Sequence, residues 1–326
     1  MIKIILQFNV TICRDSGGKS KEPEKKEKCA GQSICHLAAK TIAMLTASKS
    51  KSTIDNYRTA LNSFVSYAGK DITTEGFSKQ LVEGWQRWLK EKGVVLNTIS
   101  CYMRSLRALL SQSNTQGQAA VNDIFEGVFT GNTTTVKRSI PQKKLSRLKE
   151  VALPKGSSLC LARDIFLFSV YALGMPFVDV AFLQKKQIID GYIEYHRHKT
   201  CQPIRVKVEA PMKRIIERYS QPDSLYVFPI LAKGTMQEYE NALNQYNRHL
   251  QKLSQLANLS RKITSYVARH SWASMAYHSN VDLPVISKAL GHTSSKTTLV
   301  YLREIDDQRI DHANRQLLAS IANPSR

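Results

Sequence analysis

The segment 264–310 constrains the fold more than any other part of this sequence. Apolar residues repeat at helical spacing around Arg269, which predicts a helix there. A second helix follows, and Gly291 stands where a glycine commonly ends a helix. His292 is therefore expected just past a helix end, where its side chain can face a partner. Tyr301 is predicted to begin a further polar helix.

The charge of the chain indicates the kind of partner. The sequence contains 47 Lys and Arg against 26 Asp and Glu, a formal net charge of +21. Such an excess points to a polyanion. Nucleic acid is favoured over an anionic membrane surface, because the basic residues are spread along the chain instead of concentrated on one amphipathic helix. No apolar run reaches the ~18 residues of a membrane span, so no membrane partner is expected.

Length and cysteine usage set two further expectations. A chain of 326 residues suggests two domains, each with its own core. The six cysteines are scattered and predict free thiols in a reducing compartment such as the cytoplasm. Cys29, Cys35 and His36 lie close together, but no fourth metal ligand is evident. Unliganded side chains are therefore favoured over a metal site.

The first half of the chain predicts a compact helical domain. Residues 1–33 are interpreted as an N-terminal extension that includes a polar, flexible tether. Residues 34–129 contain four apolar patterns at helical spacing, joined by short connections. The expected boundaries are a helix start at His36, an N-cap at Ser52 or Thr53, helix ends at Gly69 and Gly93, and an N-cap at Asn97.

The second half predicts a mixed domain. Residues 130–147 are basic and poor in apolar side chains, which predicts a linker, and residues 148–326 are assigned to the second domain. An apolar helix over 161–173 is expected to break at Gly174-Met175-Pro176. Two hairpins, the first with a turn at Asp190-Gly191, predict a small three-stranded sheet with Lys199 at the tip of the second hairpin. A long helix is expected over 236–256.

Three short motifs in the segment 264–310 are similar to those of a known protein family. They are Ala-Arg-His-Ser-Trp-Ala (268–273), Leu-Gly-His-Thr-Ser (290–294) and Thr-Thr-Leu-Val-Tyr-Leu (297–302). In this order and at these intervals they resemble the second signature box of the tyrosine recombinase (phage integrase) family. Thr53-Ile54-Asp55-Asn56-Tyr57 and Leu96-Asn97-Thr98-Ile99-Ser100 are similar to that family's core-binding domain.

The resemblance implies both a fold and a function. The expected fold is mainly α with two domains, a four-helix SAM-like core-binding domain and a catalytic domain of helices plus a small antiparallel sheet. The expected function is site-specific DNA recombination through a 3′-phosphotyrosine link, with no metal, ATP or other cofactor. The implied partners are double-stranded DNA and further copies of the chain, as a tetramer on DNA. Accessory DNA-bending proteins stay open as additional partners.

The resemblance also implies residue roles. Tyr301 would be the nucleophile, Arg269 would clamp the non-bridging oxygens of the phosphate, and His292 would donate to the same phosphate. Lys199 would be the general acid for the 5′ oxygen. Tyr266 occupies a position where the family usually has histidine, and a phenol can still donate a hydrogen bond. The residues expected to contact DNA phosphates are Lys49, Lys51, Arg104, Arg107, Lys137 and Arg138.

One departure from the family pattern bears on activity. The first signature box usually supplies an arginine at the break of the apolar helix, but Pro176 and Leu173 occupy the two positions where it would stand. Removing one transition-state donor typically costs about a hundred- to a thousandfold in rate. A cation from elsewhere could substitute, and the candidates are Arg163, Lys185, Lys186 and Arg197. Otherwise the enzyme is slow, or the chain binds DNA without cutting it.

A last alternative keeps the same chemistry without partner assembly. A topoisomerase of the type IB class would also form a phosphotyrosine link, but as a monomer and without site preference. Relaxation of supercoiled DNA by a monomer would distinguish it from a recombinase.

Overall fold

The computed structural model describes residues 32–113, 118–133 and 139–299, together with residues 314, 315 and 318. Internal contacts divide the chain into two units, Met1–Thr135 and Val136–Arg326, and each unit has its own hydrophobic core. The division falls inside the segment 130–147. Within the described ranges, no helix is both long enough and apolar enough to cross a membrane.

The first unit is helical. Its elements are α1 (Ile34–Leu45), α2 (Lys51–Ala68), α3 (Lys79–Glu91), α4 (Leu96–Gln112) and α5 (Gln118–Ile124). The apolar spacing predicts the first four, and α5 is an addition that it misses. Trp85 of α3 is fully buried against Phe64, and its indole N–H donates to Ser63 Oγ at 3.3 Å. The core therefore buries the Trp85 side chain with its indole donor paired.

Two predicted N-caps in this unit are wrong. The cap of α2 is Ser50, whose side chain accepts from the Thr53 main-chain N–H at 3.3 Å, so Ser52 and Thr53 lie inside the helix. The cap of α4 is Val95, which places Asn97 in the first turn. The Asn97 side chain instead pairs with the main chain of Thr133, by bonds of 2.8 and 3.0 Å. The Asn97 side-chain amide therefore makes a tertiary contact instead of capping the helix.

The second unit is a helical domain with one sheet. Its helices are α6 (Gln142–Glu150), α7 (Ser158–Tyr171), α8 (Phe177–Ala181), α9 (Ala210–Tyr219), α10 (Met236–Leu256), α11 (Ser265–His278), α12 (Leu283–Ala289) and α13 (Ser295–Leu299). The apolar helix α7 is central and packs against α9, α10 and α11. The last third of the segment 130–147 belongs to α6. The mainly α, two-domain fold with a small sheet is confirmed.

The sheet contains the hairpin that carries Lys199. Strands β1 (Ile188–Ile189), β2 (Tyr192–His196) and β3 (Pro203–Lys207) are antiparallel in the order β1-β2-β3. Asp190 and Gly191 have φ of 49° and 77°, the left-handed pair that a tight two-residue turn requires, so this predicted turn is confirmed. Ile193 and Tyr195 face the core on alternate positions of β2.

Candidate active site

The end of α12 fixes the position of His292. The main-chain N–H of Gly291 bonds to the carbonyl of Lys288, and the N–H of His292 bonds to the carbonyl of Ser287. This is the Schellman arrangement, and Gly291 occupies its left-handed position with φ of 60°. The carbonyls of Leu290 and Gly291 are left facing outward from the helix end, where they can accept hydrogen bonds from side chains.

Arg269 is buried in α11 and directed at that helix end. Its side chain is only 2% exposed. Nη1 donates to the carbonyl of Gly174 at 3.2 Å, and Nη2 donates to the carbonyl of Leu290. Nη2 also lies 3.1 Å from Nε2 of His292. The guanidinium therefore joins the break after α7, the end of α12 and the imidazole.

The Arg269–His292 bond determines the tautomer of the histidine. An arginine side chain is only a donor, so Nε2 of His292 must be the acceptor. The proton of the neutral imidazole is then on Nδ1, which lies 2.8 Å from Thr298 Oγ1. Burial, Arg269, Arg197 and Lys199 together lower the pKa of His292 to about 4, from an ordinary value of 6.5. In this state His292 is neutral and accepts a bond from the arginine.

The break in the apolar helix is shaped by its contact with Arg269. Gly174 has φ of 70°, and a Cβ there would stand 2.9 Å from the Arg269 Cα. The break thus needs glycine for both its backbone conformation and its close packing. Leu173 and Pro176 stand at the two positions where the family has its first-box arginine. Neither side chain is charged, so the break contributes no arginine to the site.

A second buried arginine stands beside Arg269. Arg197 follows β2 directly and is 7% exposed. Its Nη1 donates to the carbonyl of Leu290 at 2.9 Å and to that of Gly291 at 3.3 Å. Period-two alternation along β2 places Arg197 on the same inward face as Ile193 and Tyr195, and this is the signal in the sequence that could have singled it out.

Asp179 of α8 holds the hairpin turn. Its buried Oδ1 accepts from the main-chain N–H of His198 at 3.0 Å and lies 3.0 Å from Nδ1 of the same residue. Its Oδ2 is 3.8 Å from Nε of Arg197, within ion-pair range but too far for a hydrogen bond. The carboxylate therefore ties the break region to the turn that carries Arg197 and Lys199.

The other predicted catalytic residues have different environments. Lys199 is exposed in the turn between β2 and β3, and its charge contributes to the lowered pKa of His292. Tyr266 is 45% exposed in the first turn of α11, with its ring 4.8 Å from that of His270. Tyr301 lies outside the described residues. Thr298, which the sequence did not single out, is buried three positions earlier and contacts His292.

The remaining candidate cations are engaged elsewhere or are exposed. Arg163 bonds to Asp164 and to the carbonyls of Lys149 and Val151. Lys185 donates to the carbonyls of Gln221 and Pro222. Lys186 is exposed on the surface. Of the four candidates, Arg197 is the one that shares a hydrogen-bond acceptor with Arg269.

The predicted DNA contacts that the structure describes all belong to the first unit. Lys49 and Lys51 are exposed at the α1–α2 connection, and Arg104 and Arg107 lie on α4. Arg104 is exposed, with Nε donating to the carbonyl of Ser100 at 3.3 Å. Lys137 and Arg138 lie outside the described residues. Within the described ranges, no group of three or more His, Cys, Asp or Glu side chains could hold a metal ion.

Comparison with known proteins covers most of the chain. The model of the phage integrase SAM-like domain matches residues 33–125, and that of the phage integrase family matches residues 171–308. The tyrosine recombinase XerD of Oceanobacillus iheyensis is 24% identical over 272 residues, which is 77% of this chain and 87% of that protein. The tyrosine recombinase XerA of Pyrococcus furiosus is 23% identical over 262 residues, covering 78% and 84%.

Solved structures show the same fold. A lambda integrase dimer bound to a COC′ core site superimposes with a TM-score of 0.67 at 15% identity, over 84% of this chain and 98% of that one. The Tn1549 transposon integrase in complex with transposon right end DNA gives a TM-score of 0.65 at 14% identity, over 88% and 100%.

Fold and site together define a class: a helical SAM-like domain followed by a mixed domain with the architecture of DNA integrases, in which a buried arginine contacts a histidine at a helix end. The chain belongs to the tyrosine recombinase (phage integrase) family.

Proposed function

We propose that the chain is a site-specific DNA recombinase that cuts and rejoins strands through a 3′-phosphotyrosine at Tyr301, without metal or ATP. The observation that carries this proposal is the 3.1 Å bond between Arg269 and His292 in a pocket rich in positive charge. Thr298 connects that pair to the segment that runs on to Tyr301 three residues later. These residue types at these positions suit phosphoryl transfer from DNA to a phenol.

Three side chains have proposed roles in the reaction. The Tyr301 oxygen attacks phosphorus and forms an O–P bond, while the bond from phosphorus to the 5′ oxygen breaks. The phenol proton passes to water, and Lys199 supplies a proton to the departing 5′ oxygen. Arg269 stabilises the charge that accumulates on the non-bridging oxygens. The phosphotyrosine link conserves the bond energy, so the reverse attack by a 5′ hydroxyl rejoins a strand without ATP.

Binding of DNA would rearrange the Arg269–His292 pair. A phosphate is a better acceptor for a guanidinium than a neutral imidazole is. Its negative charge adds electrostatic attraction to the hydrogen bond. The phosphate charge also favours the protonated form of His292. Nε2 then carries a proton and changes from acceptor to donor, as the proposed role requires. Tyr266, three residues before Arg269 on α11, would add a neutral donor.

The phosphate backbone is the proposed contact for the basic residues of the first unit. Lys49, Lys51, Arg104 and Arg107 would bind phosphates of the duplex, and so would Lys137 and Arg138 of the segment 130–147. Each phosphate neutralised changes the slope of log affinity against log salt by about 0.9. Replacement of Arg104 and Arg107 by glutamine should therefore reduce that slope by about two. An unchanged slope would remove both residues from the DNA contact.

Assembly is proposed as a tetramer on two DNA sites, at the nucleoid, with accessory DNA-bending proteins as open partners. A related lambda integrase is described as a tetramer bound to a Holliday junction. The apolar series Ile310, Ala313, Leu317 and Ile321, which lies outside the described residues, suits a helix that docks on a neighbouring copy. Truncation after Glu304 should weaken pairing of two DNA sites more than binding to one, and equal loss of both would contradict this proposal.

The decisive experiment uses a suicide substrate. A duplex is first selected from a random-sequence library by binding to the Tyr301→Phe chain, and nicks are placed along it so that cleavage releases a short strand. The wild-type chain in EDTA should form a covalent protein–DNA adduct on at least one nicked duplex, and Tyr301→Phe should form none. No adduct from the wild type would favour the second candidate function, a DNA-binding protein without cleavage, which the missing first-box arginine motivates.

A further inference from the structure

Two buried arginines meet at one main-chain oxygen. Arg269 Nη2 and Arg197 Nη1 both donate to the carbonyl of Leu290, and Arg197 Nη1 also reaches the carbonyl of Gly291. The two guanidiniums come from distant parts of the unit, α11 and the β2–β3 turn. Like charges repel, so their convergence inside the protein needs a compensating negative group.

The described residues around the pair supply less negative charge than the pair requires. Asp179 is the carboxylate near Arg197, and its Oδ1 is already used by His198. At 3.8 Å its Oδ2 makes no hydrogen bond to Arg197 Nε. Among the described residues, Arg197 Nε is a buried donor without a hydrogen-bond partner. Within the part of the chain that the structure describes, the carboxylate of Asp179 is in ion-pair range of Arg197 alone of the two arginines, and the positive pocket suits an anion.

The backbone of Arg197 is fixed in place. Its main-chain N–H donates to the carbonyl of Gln202 at 3.0 Å, and its carbonyl accepts from the N–H of Cys201 at 2.8 Å. The bond from His198 N–H to Asp179 holds the next residue. A guanidinium mounted on such a closed turn is preorganised, which is the condition under which a donor contributes most to a transition state.

Resting on the proposed function, we propose that Arg197 is a catalytic residue: it supplies the second guanidinium to the non-bridging oxygens of the scissile phosphate, in place of the arginine absent from positions 173 and 176. The bonds made and broken are those of the Tyr301 reaction described above, and Arg197 transfers no proton. On DNA binding its Nη donors exchange the carbonyls of Leu290 and Gly291 for phosphate oxygens, as Arg269 does. Arg163, Lys185 and Lys186 do not share this acceptor.

A structural role must be separated from a catalytic one, because Arg197 also holds the end of α12. The separation uses the charge of the substrate. In a methylphosphonate, one non-bridging oxygen of the scissile phosphate is replaced by a methyl group, so the charge that an arginine would stabilise is largely removed. A guanidinium that acts on the phosphate loses its advantage on this substrate, whereas one that only supports the fold matters equally on both.

The experiment measures single-turnover adduct formation by the full chain on the selected nicked duplex, with a phosphodiester or with either methylphosphonate diastereomer at the cleaved position. Arg197→Gln should slow cleavage of the phosphodiester by about a hundred- to a thousandfold. On at least one methylphosphonate the wild-type to variant ratio should fall to within about tenfold. Arg269→Gln should behave similarly. Arg163→Gln, the loss of a partly buried arginine outside the pocket, should give the same ratio on both substrates.

The outcomes are distinguishable. An Arg197→Gln chain that cleaves the phosphodiester at the wild-type rate, or that shows the same defect on phosphodiester and both methylphosphonates, overturns the inference and leaves the proposed function standing. A wild-type chain that forms no adduct on any phosphodiester overturns the proposed function and the inference with it. If Arg197→Gln does not fold, Arg197→Lys, which keeps the charge, carries the same comparison of substrates.

Discussion

Arg269 and His292 contact each other, with Nη2 of the arginine 3.1 Å from Nε2 of the histidine. Both side chains are proposed ligands of the same phosphate. Each is therefore now the hydrogen-bond partner of the other, a role that the phosphate would take. In this arrangement the histidine is neutral and the arginine has an acceptor. Binding of DNA would replace this internal contact with two contacts to the substrate.

The contact with Arg269 predicts an unusual titration of His292. Its pKa should be about 4 in the DNA-free chain, because burial and the charges of Arg269, Arg197 and Lys199 oppose protonation. NMR of ring-labelled histidine should show this value, a higher pKa in Arg269→Gln, and a higher pKa again when DNA binds. A pKa near 6.5 in the free wild-type chain would contradict the arrangement.

The same shift has a consequence for stability. The unfolded chain binds the His292 proton below about pH 6.5, but the folded chain does so only below about pH 4. Stability contributed by neutral His292 is therefore complete above pH 6.5 and declines as the pH falls towards 4. His292→Gln should lose less stability than the wild type over this window in urea unfolding. An equal loss would show that the imidazole does not titrate with folding.

Lys199 should act on the leaving group. Lys199→Ala should slow cleavage of the ordinary phosphodiester by about a hundredfold or more, because the 5′ oxygen needs a proton to leave. A substrate with sulfur at the 5′ bridging position leaves as a thiolate, and thiols ionise near pH 8.5. Cleavage of that substrate should be nearly unaffected in Lys199→Ala. The neighbouring His196→Ala serves as the control, and an equal defect of Lys199→Ala on both substrates would contradict the role.

Gly291 should be required for packing as well as for backbone conformation. A Cβ at Gly291 would stand 2.7 Å from Arg197 Cδ and 2.9 Å from Ile204 Cδ1, whereas one at Gly156 would meet nothing within 4 Å. Both glycines have positive φ, so alanine costs about 1 kcal/mol or more of backbone strain at either position. Gly291→Ala should also displace Arg197 and slow adduct formation, while Gly156→Ala should not. Equal adduct rates in the two variants would contradict the packing argument.

Asp179 should hold the hairpin turn through its charge. Asp179→Asn removes the negative charge that is paired with the buried Arg197 at 3.8 Å, and the loss of one partner of a buried pair costs about 3–5 kcal/mol. Hydrogen exchange of the β2 and β3 amides should be faster by a corresponding factor. Glu194→Gln on the same hairpin removes an exposed pair with Arg205 and should cost less than about 1 kcal/mol. Similar exchange in both variants would show that Asp179 does not support the turn.

Local sequence signals predicted much of this fold because they act over a few residues. The Asp190-Gly191 turn, the long helix α10 and the glycine at the end of α12 each follow from one short pattern. The two misplaced N-caps show the limit of such signals. Asn97 has the chemistry of a cap, but a bond to Thr133, 36 positions away, determines its use.

The candidate site was predicted less completely for the same reason. The motifs located Arg269 and His292, but the choice among four substitute cations depends on contacts between distant segments. Arg197 meets the carbonyl of Leu290 across 93 positions, while Arg163 is occupied by neighbouring main chain. The sequence alone does not distinguish these two arginines. Their different hydrogen-bond acceptors in the folded chain do.

The most direct measurement is the identity of the residue that becomes joined to DNA. The adduct formed on the nicked duplex is digested with nuclease and protease, and the modified peptide is sequenced by mass spectrometry. The account predicts one nucleotide-bearing phosphate on Tyr301, with none on Tyr266 and no adduct in Tyr301→Phe. A phosphate attached to any other residue, or an adduct that persists in Tyr301→Phe, would contradict it.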